Sequence, residues 1–218
     1  MDVGHEPEPG TGFPLEPDRL LGEALRWAAR LHEGQVRKAS GAPYLSHLLE
    51  VASTVVAHGG GPSATAAALL HDVLEDTAAD ERWLEERFGS RIREIVARCS
   101  DSTTFPKPPW EERKRSFCER LESEGPDPEV ALVLAADKLS NVRALRRELR
   151  AKGAGVLRAF NAPPDRQLKY LWCVAEAIVP HLPAALGEEL VDELRGLEEE
   201  LTRLGVLRSE AEAGHPAA

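Results

Sequence analysis

Four ionisable side chains, His71, Asp72, Glu75 and Asp76, crowd into six positions of the stretch AAALLHDVLEDT. The residues around them are apolar: Ala66, Ala67, Ala68, Leu69 and Leu70 before, Val73 and Leu74 within. Charges beside so much apolar surface are costly unless they are paired or hold a metal. Read as one helix from about Pro62 to Asp76, the stretch sets His71 over Glu75 and Asp72 over Asp76, because residues four apart share a face. One imidazole and three carboxylates then form a compact cluster at the helix's C-terminal end. A hard or borderline divalent cation would offset the repulsion among the carboxylates.

Other elements must bring partners to that cluster. The spacing of Leu20, Leu21, Ala24, Leu25, Trp27, Ala28 and Leu31 predicts a helix from about Asp18, its expected N-cap, to Glu33. Gly34, Gly41 and Pro43 then make a loop that carries Arg37 and Lys38. A second helix opens near Pro43 and runs to about Ala57, with His47 among its core residues. Two short helices, 80–88 and 90–100, are separated by Gly89, and the loop DSTTFPKPP leads to a charged helix over 110–121. A long helix from about Asp127 to Leu149 carries an apolar run and then DKLSNVRAL. Helices over 165–180 and 187–204 follow a Gly- and Pro-broken segment. No strand pattern, repeat or dinucleotide glycine loop appears, so the fold class is all-α, one domain over 17–206. Residues 1–16, rich in Pro, Gly and Glu, are expected to be a disordered acidic tail and 207–218 a flexible one.

The 218 residues suffice for one good core, and 42% hydrophobic with 29% charged content is ordinary for a soluble globular chain. The net charge of −10 sits at the ends: residues 1–20 carry −4, residues 187–218 carry −6, and the middle sums to zero. That balance argues against a nucleic-acid binder and leaves room for a small anionic ligand at a local basic patch. No apolar run approaches the roughly 20 residues of a membrane span, and the N-terminus lacks signal-peptide features. Cys99, Cys118 and Cys173, odd in number and widely spaced, read as reduced thiols of a cytoplasmic protein.

The stretches GQVRKASGAPYLSH, ALLHDVLEDT and AADKLSNVRAL together resemble the HD-domain metal-dependent phosphohydrolases. They are most similar to the hydrolase domain of the RelA/SpoT alarmone enzymes and to stand-alone small alarmone hydrolases of the metazoan SpoT-homologue type. The resemblance covers about residues 20–180 and implies an HD-type helical bundle. It implies a divalent metal, usually Mn²⁺, held by His47, His71, Asp72 and Asp137. Imidazole and carboxylate donors without thiolates suit that ion. Glu75 and Asp76 match the family's pair that positions or deprotonates the attacking water. Arg37 and Lys38 match its phosphate clamp, Arg as a bidentate donor and Lys as a point charge. Asn141, one turn after Asp137, is implied to contact the nucleoside, and Lys138 a phosphate. Arg113 and Lys114, with Lys107, are candidates for outer phosphates. Tyr44 either meets the ligand or packs beside the His47 helix. Ser140 departs from the family, which often has an aromatic residue or His there.

Three functions compete at this level. The first is Mn²⁺-dependent removal of the 3′-pyrophosphate from (p)ppGpp, giving GDP or GTP and pyrophosphate. The second keeps the chemistry but takes an adenosine alarmone or the 2′-phosphate of NADPH. The third is a non-catalytic nucleotide- or metal-binding module, for which a water-activating pair such as Glu75 and Asp76 has no use.

Overall fold

The computed structural model describes residues 17–104 and 106–207. The expected acidic tail over 1–16 and all but the first residue of the expected C-terminal tail lie outside them. Nine α-helices are described, with two short 3-10 turns, Gly153–Ala159 and Val179–His181, and no strand beyond one isolated bridge between Val36 and Pro43. No described helix is long and apolar enough to cross a membrane.

Two helices with long, fully buried runs form the centre. Helix α3 (Pro62–Leu70) is buried at every position from Ala64 to Leu70. Its small alanines let α1 (Pro17–Leu31), α2 (Leu45–Ala57) and α5 (Glu81–Cys99) approach closely. Helix α7 (Pro128–Lys152) is buried without a break from Val130 to Ser140. Its start is well defined: Pro128 occupies the first turn, and the Asp127 carboxylate accepts from the Glu129 and Val130 amides, both at 3.0 Å. Burial of each leucine in these helices contributes about 1.5–3 kcal/mol, which explains why they can also carry ionisable groups into the interior.

The central apolar stretch does not continue as one helix to Asp76. It stops at Leu70, His71 and Asp72 form a turn, and a one-turn helix α4 (Val73–Asp76) follows. The strict four-residue stacking expected of His71 over Glu75 is therefore replaced by a bend that swings Asp72 beside the imidazole. The two helices expected on either side of Gly89 are halves of α5, kinked where Gly89 adopts φ 82° and ψ 168°. Asp80 caps its first turn by accepting from the Trp83 amide at 2.7 Å.

The remaining elements close the bundle. Helix α6 (Trp110–Glu124) packs on α8 (Pro164–Ile178), with Phe117 beside Tyr170. Cys118 of α6 and Cys173 of α8 form a disulfide, which corrects the reading of all three cysteines as reduced thiols; Cys99 is free and buried. Sequence spacing missed the pair because 55 residues separate it, and only the α6–α8 packing brings the two together. Helix α9 (Ala184–Arg203) lies along α7, its Leu190, Leu194, Leu197 and Leu201 buried. Beside that seam Arg146 and Arg150 share the buried carboxylate of Glu200.

The α2–α3 turn depends on a glycine for close approach. A Cβ on Gly60 would stand 2.3 Å from the Val55 side chain and 2.8 Å from its carbonyl oxygen, whereas one on Gly61 meets nothing within 4 Å. Gly60→Ala is expected to cost about 1–3 kcal/mol in a denaturant titration. Gly61→Ala should leave the midpoint nearly unchanged. Equal midpoints for both would refute the packing argument.

Candidate metal centre and phosphate cleft

Three helical segments deliver side chains to one buried point. Helix α2 presents His47, the α3–α4 turn presents His71 and Asp72, and α7 presents Asp137. His47 Nε2 lies 3.2 Å from Asp137 Oδ1 and 3.8 Å from Asp72 Oδ2. His71 Nε2 lies 3.0 Å from Asp72 Oδ2 and 3.7 Å from Asp137 Oδ1. Ligand atoms of His47, His71 and Asp137 all fall within 4.8 Å of one another.

The outer nitrogens of the two imidazoles are anchored and the inner ones are not, while both carboxylates are held by neighbouring donors. His71 Nδ1 donates to the Ala68 carbonyl at 2.8 Å, and His47 Nδ1 bonds the Ser140 hydroxyl at 2.9 Å. Both Nε2 atoms are buried and lack a hydrogen-bond partner of acceptable geometry. Asp72 Oδ2 accepts from Tyr44 Oη at 2.5 Å. Asp137 accepts from Lys138 Nζ and from Asn141 Nδ2, each at 2.6 Å. Two imidazole nitrogens facing two carboxylates across 3–4 Å need a positive charge between them, carried either by protons on the rings or by a metal ion in their place. The donor set, two imidazoles and two carboxylates, thus fits a divalent cation such as Mn²⁺ or Zn²⁺.

Electrostatics reports the same crowding. Burial disfavours the Asp137 carboxylate, yet the Lys138 ammonium and the two histidines hold it well below the usual carboxylate range. Burial likewise opposes ionisation of Asp72, and the charge of His71 overcomes it. Tyr44 is driven far up by burial and by Asp72, so it stays a donor. Glu75 goes the other way: burial, with Asp101 and Asp72 adding to it, pushes its carboxyl up to about 7. Its Oε1 accepts from the Asp101 amide at 2.9 Å.

The centre opens into a cleft of about 660 Å³. Arg37 lines it from the loop between α1 and α2, where the Arg37 amide bonds the Ala42 carbonyl and the Tyr44 amide the Gln35 carbonyl. Its guanidinium donates to Ser140 Oγ at 3.2 Å and to Asn141 Oδ1 at 2.9 Å. Asn141 therefore bridges Arg37 and Asp137. Lys38 lines the same wall and is exposed. Lys107 reaches Asp76 at 3.2 Å and Glu75 at 3.9 Å. Arg113 and Lys114 converge on the nearly inaccessible Asp101, Lys114 at 2.5 Å. Tyr44, besides meeting Asp72, stacks on His32 at 5.2 Å.

The geometry brings all fourteen site candidates singled out from the sequence, Lys107 included, into or around this cleft, but changes what some of them touch. Lys138 is buried and turned onto Asp137 rather than outward to a phosphate. Asp101, Gln35 and Tyr170 were not singled out. Asp101 lay in a stretch whose prolines mark it only as loop. Gln35 reaches the Asp76 carbonyl at 3.1 Å, and Tyr170 faces the Lys114 ammonium at 4.4 Å, contacts with no local sequence signature.

The chain matches the HD domain over residues 24–159. It is 41% identical over 132 residues to guanosine-3′,5′-bis(diphosphate) 3′-pyrophosphohydrolase MESH1 of Xenopus tropicalis, covering 59% of this chain and 70% of that protein. It is 31% identical over 188 residues to a GTP pyrophosphokinase of Myxococcus xanthus, covering 81% of this chain but only 24% of that protein. A solved structure of a metazoan ortholog of SpoT that hydrolyzes ppGpp superposes with a TM-score of 0.61 at 26% identity, over 90% of this chain and 100% of that one. The matched span encloses His47, His71, Asp72 and Asp137 and the helices that carry them: this chain belongs to the HD-domain family.

Proposed function

We propose that this protein hydrolyses the 3′-diphosphate of (p)ppGpp, releasing GDP or GTP and pyrophosphate. The observation that carries the reading is the convergence of two Nε2 atoms and two carboxylates beside Glu75, at the floor of a cleft walled by Arg37, Lys38 and Lys107. The relatives named above as acting on this nucleotide supply the substrate class.

His47, His71, Asp72 and Asp137 would hold the metal, with Mn²⁺ the ion we assign. When bound, such an ion supplies Lewis-acid polarisation of a phosphoryl oxygen and lowers the pKa of water. Glu75 takes the proton of the attacking water; a carboxyl poised near 7 is matched to that task at neutral pH. Water adds to the phosphorus attached to the 3′-oxygen, the bond to that oxygen breaks, and the proton that Glu75 removed from the water passes to the leaving oxygen, which departs as the 3′-hydroxyl. Asp76, held by Lys107, orients the water from the cleft side. Arg37 and Lys38 grip the diphosphate, Arg113 and Lys114 add positive charge around Asp101, and Asn141 steadies Arg37 while facing the nucleoside. Lys138 and Tyr44 act through the carboxylates they bond, Asp137 and Asp72. We assign the reaction to a small anionic substrate and, on the strength of that nucleotide substrate alone, to the cytoplasm.

Product analysis tests the reading. Protein stripped with EDTA should leave ppGpp intact, and added Mn²⁺ should restore release of GDP and pyrophosphate. Release of inorganic phosphate from NADPH, or turnover of an adenosine alarmone, with ppGpp left intact would overturn the substrate. Full turnover by verified metal-free protein would overturn the metal.

A further inference from the structure

Ser140 Oγ, on α7, is the meeting point of three charged or polar groups, His47 and Glu50 of α2 and Arg37 of the loop before it. It lies 2.9 Å from His47 Nδ1, 3.2 Å from Arg37 Nη1 and 2.8 Å from Glu50 Oε2. A hydroxyl has one proton and two lone pairs, so these contacts use its full capacity. Arg37 can only donate, which takes one lone pair. The Glu50 carboxylate can only accept, which takes the proton. One lone pair remains for His47, so Nδ1 must be the ring nitrogen that carries hydrogen. The opposite arrangement, with Ser140 donating to Nδ1, would set two oxygen acceptors 2.8 Å apart with no proton between them.

We infer that Glu50, acting through the Ser140 hydroxyl, fixes His47 in the Nδ1–H tautomer and thereby sets the metal affinity of the centre. The inference rests on the reading of His47 as a metal ligand. The consequence falls on Nε2, the buried atom that faces Asp137 and Asp72: it is left with a lone pair and no proton. An outer partner that fixes the tautomer of a ligating imidazole is commonly worth 10- to 100-fold in metal affinity. Glu50 stands one turn from His47 on α2, and Ser140 is 2% exposed, so the three are held by packed helices rather than by a loop. The contact of Arg37 with the same hydroxyl makes Glu50 and Ser140 positioning residues for the phosphate wall as well. The small side chain at position 140, where the resemblance leads one to expect a ring, is what leaves room for this relay.

Two readouts on the full chain, neither requiring substrate, test it. In metal-free protein, long-range proton–nitrogen NMR should show His47 protonated at Nδ1, and Glu50→Ala and Ser140→Ala should each shift it toward the Nε2–H form. Calorimetric titration with Mn²⁺ alone should show affinity weakened about 10- to 100-fold in each variant. The double variant should be no worse than the poorer single, because both cut one chain of contacts. Ser140→Thr, which keeps the hydroxyl, should restore the tautomer, which a mere loss of packing would not explain. An unchanged tautomer and Mn²⁺ affinity in Glu50→Ala would overturn the inference, as would additive effects. Wild-type protein that binds no Mn²⁺ would overturn this inference and the metal assignment together. Shifts as expected with no ppGpp turnover would overturn the substrate reading alone.

Discussion

Asp137→Asn should abolish metal binding and lower turnover by on the order of 10³-fold or more, the value of several kcal/mol of transition-state stabilisation. The change is isosteric, so the helix and the cleft need not move. It removes the charge that faces His47 and His71 and that pairs with Lys138 and Asn141. It also leaves the Lys138 ammonium buried with no counter-charge within bonding reach, since its only hydrogen bond among the described residues is to Asp137. Breaking a buried pair from one side costs about 3–5 kcal/mol. For a domain of this size that is roughly a 10 °C fall in Tm. Lost activity could then reflect lost fold, and a second variant separates the two. Asp137→Asn combined with Lys138→Met removes both members of the pair and should recover much of the Tm while remaining without metal and without turnover. Recovery of activity along with stability would show that Asp137 acts through the fold and not through the metal.

Much of this centre is legible from residue order because its histidines and aspartates sit on or beside buried helices, and buried helices announce themselves. AAALL before His71 and VALVLAA before Asp137 are too apolar to face water, so the ionisable residues that follow them must be inside and must be compensated. The fold class follows from the same periodicity. Local backbone geometry is less legible. The bend at His71–Asp72 interrupts a run with no Gly or Pro to signal it, and the turn sets Asp72 Oδ2 3.0 Å from His71 Nε2 and 3.8 Å from His47 Nε2. Contacts between distant segments are not legible at all by spacing. The Glu50–Ser140–His47 relay joins residues about ninety positions apart, and Asp101 gathers Arg113, Lys114 and the Glu75 side chain from a stretch that reads only as loop. Ser140 was visible as a departure from the family pattern, but its meaning lies in three partners that only the packing of α2 against α7 supplies.

Glu75→Gln should separate chemistry from metal binding and from stability at once. Its Oε1 is taken by the Asp101 amide and, unlike those of Asp72 and Asp137, its carboxyl does not approach either imidazole within 4 Å among the described residues, so the variant should bind Mn²⁺ as the wild-type protein does. Loss of a general base typically costs about 10²- to 10⁴-fold in turnover. Wild-type kcat should rise with pH as the Glu75 carboxyl ionises, and the variant's residual rate should lack that rise. Stability should move the opposite way. The folded state holds Glu75 above its ordinary value of 4.5, so it binds a proton that the unfolded chain has already released. Between about 4.5 and 7 the native protein therefore loses stability as pH rises, and above 7 it carries the full penalty of a buried charge. A glutamine keeps the shape and the acceptor for the Asp101 amide without that charge. In metal-free protein at pH 8 the variant should be more stable by about 3 kcal/mol, or roughly 10 °C in Tm, and the gain should vanish toward pH 4. A variant that lost Mn²⁺ outright would make Glu75 a ligand. One that lost turnover with no gain in stability at pH 8 would remove burial as the cause of its raised pKa.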